Sequence, residues 1–183
     1  MSFDLNILCC YQDRAIKSLP FSSAFSFRLE NKKRCAHHKG YDVDWQFMNS
    51  CPGYWYSLEP VDYSSDSVAC YDMCDIIYDG EKLRIKKSRF DNDGQFYANT
   101  FEYIDFLPVF NIKPEFRRDF EEIILYFIEQ SPVNMIIFLA RFQGDEKDVI
   151  QGVFPKEEFF QLLDNRTVKF NHCYIVGNES GIP

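Results

Sequence analysis

The chain has 183 residues, 46% of them hydrophobic and 26% charged, with a formal net charge of −8. That length suits one domain around one core, 19 Phe and 11 Tyr supply the material to fill it, and the composition excludes a disordered chain. No apolar run approaches the ~18 residues a membrane helix needs, and the acidic balance argues against a polyanion such as nucleic acid as partner.

Phe3 to Tyr11 reads as a strand, and Phe21 to Glu30 as a strand or a pair of short ones. Residues 31–74 show no period that assigns them to helix or strand. Asp75 to Lys87 reads as a hairpin turning at Asp79-Gly80, Asp91 to Gly94 is another turn, and the aromatics of Phe96 to Phe106 fit neither a helical nor a strand period. Pro114 suits a first helical position, and Phe116, Phe120, Ile123, Ile124, Phe127 and Ile128 then line one helical face as far as Ser131-Pro132. Val133 to Phe142 is an almost continuous branched and aromatic run, expected as a central strand buried on both faces.

After the charged turn Asp145 to Asp148, Val149 to Phe154 is expected to return antiparallel beside that strand as a hairpin, with a bulge at Gly152. Pro155 opens a short helix that carries Glu157 and Glu158 in its first turn, turns Phe159, Phe160, Leu162 and Leu163 inward and stops at Asp164-Asn165. Val168, Phe170, His172, Tyr174 and Val176 alternate with polar residues as a last strand, before a polar tail from about Gly177. The expected fold is α+β: a single domain over 1–183, with a mixed or antiparallel sheet packed by at least two helices and a C-terminal half of order α-β-β-α-β.

The start, Met1-Ser2-Phe3-Asp4, has no basic region of a secretory signal. The seven cysteines, Cys9, Cys10, Cys35, Cys51, Cys70, Cys74 and Cys173, form an odd set in a chain large enough to need no disulfide. Reduced thiols and a cytoplasmic location are therefore expected.

Charge is unevenly spread. Residues 1–40 hold seven Lys/Arg against three acids, 41–80 hold none against eight, and 81–90 hold five against one. Interleaved with the eight carboxylates are many aromatics, including both tryptophans. Aromatic anchors among uncompensated carboxylates suit a surface that steers a cationic partner in and holds it by burying large side chains. The candidate partner-binding residues are Asp42, Asp44, Trp45, Tyr54, Trp55, Tyr56, Asp62, Tyr63, Asp66, Asp72 and Asp75. The competing reading makes the aromatics core and lets the basic stretches Arg28 to Lys39 and Lys82 to Arg89 neutralise the carboxylates.

Catalytic signatures are sparse. Cys35-Ala36-His37-His38, Cys70 with Cys74, and His172-Cys173 lack the paired tight spacings of a zinc site, and no metal ligand is assigned. No phosphate-cradling glycine loop and no nucleophile elbow occur, so no cofactor is expected. Asp13 followed by Glu30-x-Lys32 resembles metal-dependent nucleases of the PD-(D/E)-x-K class, in which carboxylates hold a divalent metal and the lysine assists hydrolysis. The proline usual before the first acid is absent, and an acidic protein is poorly matched to a polyanion.

Phe154-Pro155-Lys156-Glu157-Glu158-Phe159-Phe160-Gln161-Leu162-Leu163, followed by Phe170-Asn171-His172-Cys173-Tyr174-Ile175-Val176, is a helix-then-strand ending. With the acidic, aromatic-rich composition it resembles the immunity proteins of bacterial polymorphic toxin systems. That resemblance implies a protein that binds a cognate toxin domain tightly and blocks its active site or substrate groove, with no turnover of its own. It transfers no individual functional residue.

Overall fold

A computed structural model of the chain describes residues 3–30, 52–61, 73–77, 109–142 and 149–178. In chain order these form β1 (Phe3–Cys10), β2 (Phe25–Leu29), β3 (Gly53–Pro60), β4 (Cys74–Ile77), β5 (Val109–Ile112), α1 (Pro114–Gln130), β6 (Met135–Phe142), β7 (Val149–Pro155), α2 (Lys156–Asp164) and β8 (His172–Gly177). Six strands make a mixed sheet in the order β2-β3-β1-β6-β8-β7, and β4 pairs with β5 in a second, two-stranded sheet. The architecture is α+β.

Helix α1 begins at Pro114, whose missing N–H costs nothing in a first turn, and buries Phe120, Ile123, Ile124, Phe127 and Ile128. Strand β6 occupies the centre, antiparallel to β1 on one side and to β8 on the other. Its side chains explain the position: Ile136, Phe138 and Ala140 enter the core under the helices, while Ile137 and Leu139 enter a second cluster on the opposite face with Leu8, Trp55 and Cys173. A strand apolar on both faces has no solvent-facing side and belongs inside the sheet.

Strand β7 departs from the expected hairpin. It does not pair with β6; β8 lies between them, parallel to β7 and antiparallel to β6. The nine-residue α2 is a crossover that returns the chain in the same direction, which a short hairpin turn cannot do. Burial decides which strand goes inside: β8 is buried along most of its length, whereas Ile150 and Val153 of β7 are exposed at the sheet edge. The bulge expected at Gly152 is present as a register shift between Ile150 and Gly152. The charged turn Asp145 to Asp148 lies outside the described residues.

Smaller differences concern strand ends. Of Phe21 to Glu30 only Phe25–Leu29 is strand, and the last strand begins at His172, because Asn171 takes a left-handed conformation (φ 59°) that breaks the extended run from Val168. Asp75 to Ile77 lie in β4, whose described partner is β5. The strand sought beyond Asp79-Gly80, and the segment Phe96 to Phe106, lie outside the described residues. Gly53 (φ 133°) is required by close approach, because an added Cβ would collide with the Cys9 carbonyl oxygen.

Candidate functional site

Residues 11–24 connect β1 to β2 as a strap, longer than a hairpin loop, that runs along α1. Its tethers are specific. The Tyr56 hydroxyl donates to Gln12 Oε1 (2.7 Å) and accepts from the Ile16 N–H (2.8 Å), and Asp119 Oδ2 on α1 accepts the Ala24 N–H (2.5 Å). Tyr54 Oη donates to the Asp13 carbonyl (3.4 Å), and Phe21 meets the Tyr126 ring edge-on at 5.7 Å. Between strap and sheet edge lies a groove of about 520 Å³, lined by Lys17, Leu19, Phe21, Phe25, Phe27 and Val61 among others.

Of the predicted partner-binding residues, Tyr54, Trp55 and Tyr56 fall in β3. Trp55 (2% exposed) and Tyr56 (0%) are not surface anchors. Strand β3 is interior, between β2 and β1, so its alternating aromatics enter different cores: Trp55 joins Leu8 and Ile137, and Tyr56 packs on Phe27 and Phe127. Tyr54 is half-buried. The backbone of Asp75 lies in β4 opposite Asn111, and Asp42, Asp44, Trp45, Asp62, Tyr63, Asp66 and Asp72 lie outside the described residues.

Glu59, the described carboxylate of β3, has a counter-charge. Arg28 Nη1 on β2 sits 3.0 Å from Glu59 Oε1, and Arg28 Nη2 sits 2.7 Å from Glu30 Oε1. Partial burial works against the guanidinium charge, but the hydrogen bond and charge of Glu30 and the charges of Glu59 and Asp4 outweigh it and hold Arg28 above its ordinary pKa. The neighbouring positions on this face, Asn6 and Ser57, are paired in register and buried. At this point the aromatics are core and the acid is neutralised by a basic flank, as the competing reading expects.

Of the nuclease-like set, Asp13 and Glu30 are among the described residues. Glu30 follows Arg28 on the face opposite the helices and its carboxylate is held there by that guanidinium. The Asp13 backbone instead meets Tyr54, which packs toward the helix-covered core, and Lys32 lies outside the described residues. Among the described residues, no three His, Cys, Asp or Glu side chains are grouped to hold a metal. His172 is buried with Nδ1 2.8 Å from the Phe170 carbonyl.

Among the described residues, Cys9, Cys10, Cys74 and Cys173 are not joined by a disulfide. Burial, with the neighbouring Cys10, pushes the Cys9 thiol well up, and Sγ donates to the Phe127 carbonyl (3.7 Å), the opposite of what a nucleophile needs. Burial likewise pushes Tyr56 up to about 12 against the opposing Ile16 hydrogen bond. The strap and its tethers were not foreseen from sequence. Their signal is weak: Ile16, Leu19 and Phe21 are apolar residues at irregular spacing in a segment too long for a hairpin loop. The chain matches no protein-family model, and neither a curated protein nor a solved structure is detectably similar to it. No described helix is long and apolar enough to cross a membrane.

Proposed function

We propose that this protein binds a basic macromolecular partner and has no turnover of its own, in the manner of an immunity protein that occupies the active site or substrate groove of a toxin domain. The observation that supports this reading is charge segregation: eight carboxylates and no base between residues 41 and 80. Glu59 is taken up by Arg28. The other seven, Asp42, Asp44, Asp62, Asp66, Asp72, Asp75 and Asp79, have no counter-charge within their own stretch of chain, and like charges so crowded favour a solvated surface over a core. Trp45, Tyr63 and the half-buried Tyr54 are the aromatics left to anchor a partner, now that Trp55 and Tyr56 belong to the two cores. Electrostatics sets the association rate in such a complex, and the aromatics set its lifetime.

The test is association with a growth-arresting domain encoded beside this chain. Co-expression should restore growth, and the two products should purify as one complex. The double variant Asp62→Lys/Asp66→Lys should slow association about tenfold and flatten its salt dependence while its melting temperature stays unchanged. Unchanged association in that variant removes the acidic block as the binding surface, and failure of the neighbouring product to bind removes the immunity role.

A further inference from the structure

On its outer side, strand β2 has the Phe25 N–H taken up by Ser23 Oγ (3.1 Å) and leaves the backbone groups of Phe27 and Leu29 open among the described residues. Its even-numbered residues face β3: the Glu30 N–H donates to the Trp55 carbonyl (2.8 Å), the Val61 N–H donates to the Ala24 carbonyl (3.0 Å), and Ser26 and Arg28 pair with Glu59 and Ser57 between them. An antiparallel ladder alternates, so the N–H and C=O groups of Phe27 and Leu29 point out of the sheet, and among the described residues nothing bonds them. Exposed edges are ordinarily blunted by a bulge, a proline or an outward charge. The opposite edge, β7, has such devices in its bulge at Gly152 and in Pro155. Strand β2 has only Arg28, which Glu30 and Glu59 hold against its own sheet.

Side chains on this edge are self-complementary. Leu29, at the C-terminal end of β2, is 45% exposed, a large apolar side chain on the face that carries Phe25 and Phe27. The groove beside the strap lies along the same strand and is lined by Leu19, Phe21, Phe25, Phe27 and Val61. Antiparallel pairing of two β2 strands about Phe27 would set Phe27 opposite Phe27 and Leu29 opposite Phe25 on one face of the joined sheet, with the Phe25 N–H exchanging Ser23 Oγ for the Leu29 carbonyl of the other copy. Each exposed Leu29 would then reach the end of the other strand where the groove is lined by Phe25 and Val61. A knob and a hole exchanged by a twofold axis make an isologous contact.

We propose that β2 is a self-pairing edge, through which two copies of this chain join their sheets antiparallel, each placing Leu29 in the groove of the other. A foreign extended segment would use the groove and leave Leu29 bare, whereas a second copy uses both. The inference goes beyond the partner reading above and is tested on this protein alone.

The measurement is sedimentation equilibrium of the full chain from about 1 μM to about 200 μM, with amide exchange at both limits. The mass should rise toward twice the chain mass, and the Phe27 and Leu29 amides should slow as it does. Leu29→Pro deletes an outward N–H that the β2–β3 ladder does not use, so it should raise the dissociation constant about tenfold or more without lowering the melting temperature of the monomer. Leu29→Lys leaves the backbone intact and should have the same effect, which keeps the test decisive if the proline variant folds poorly. A chain that stays monomeric across the range, or a dimer that Leu29→Lys leaves unchanged, overturns the proposal.

Discussion

Helix α1 is held to the sheet and to the strap by different means. Toward β6 and β8 it is packed by rings: Phe138 lies 5.6 Å from Phe110, 5.5 Å from Phe120 and 5.4 Å from Phe159, with no polar atom in the contact. Toward β2 the rings continue, with Phe27 5.3 Å from Phe127 and Phe25 6.0 Å from Phe120, but the strap beyond is held by single contacts: Asp119 of α1 accepts the Ala24 N–H, Tyr56 of β3 accepts the Ile16 N–H, and Phe21 meets Tyr126. Ring packing resists change in proportion to the volume removed and fails as a whole. A tether fails one bond at a time and releases only what it holds. The ring packing should therefore set global stability, and the tethers should set the local opening of the strap and of the groove beside β2.

The largest effect should come from Phe138→Ala, which removes the ring common to three contacts. We expect a loss of about 3–5 kcal/mol in denaturant unfolding, with all probes moving together. A loss below about 1 kcal/mol would place the core elsewhere. Gly53→Ala comes next. Its Cβ would collide with the Cys9 carbonyl in a backbone conformation that L-residues avoid, so we expect at least ~1 kcal/mol of destabilisation and faster amide exchange along the β1–β3 ladder.

Tyr56→Phe keeps the ring against Phe27 and Phe127 and removes the hydroxyl from the Ile16 N–H. It should cost ~1–2 kcal/mol and speed proteolysis within 12–23 more than anywhere else. The same hydroxyl gives a pH signature. Its pKa is raised in the folded state, so the neutral phenol stabilises the fold fully below the unfolded value near ~10. That contribution is lost as pH climbs through the folded value of about 12. Burial pushes Tyr174 in the same direction, so stability should fall on the alkaline side, and less steeply in Tyr56→Phe. The smallest effect is Arg28→Ala, within about 1 kcal/mol because the Arg28 side chain is more than half exposed to water. A larger loss would mean that the polar row on the second face carries structure.

The contrast also explains what could be read from the sequence. Periodicity announces packed faces, so α1 with its stripe from Phe120 to Ile128 and β6 with its almost continuous apolar run were legible to within a residue or two. Tethers leave no such mark, because Gln12, Tyr56 and Asp119 are far apart in sequence and ordinary in their neighbourhoods. Trp55 and Tyr56 misled for a related reason: the alternation of β3 separates them onto two faces, each apolar, while the carboxylates around them suggested a single exposed one. The place of β7 could not be read at all, since nothing local distinguishes a strand that pairs with its predecessor from one that skips a position.

The order of the sheet also dictates an order of assembly. Strand β1, met early in the chain, lies between β3 and β6 and pairs Leu5 with Ala140, so it cannot be enclosed until far more of the chain is available. Strand β8, the last described, fills the position between β6 and β7, and until it arrives both carry open ladders. Helix α1 and its stripe can form locally, but the sheet beneath it closes only through contacts of long sequence separation, which are slow to find. The protein should refold slowly for its size, and a nascent chain halted before Val168 should expose the apolar edge of β6 to whatever chaperone or neighbouring chain is near.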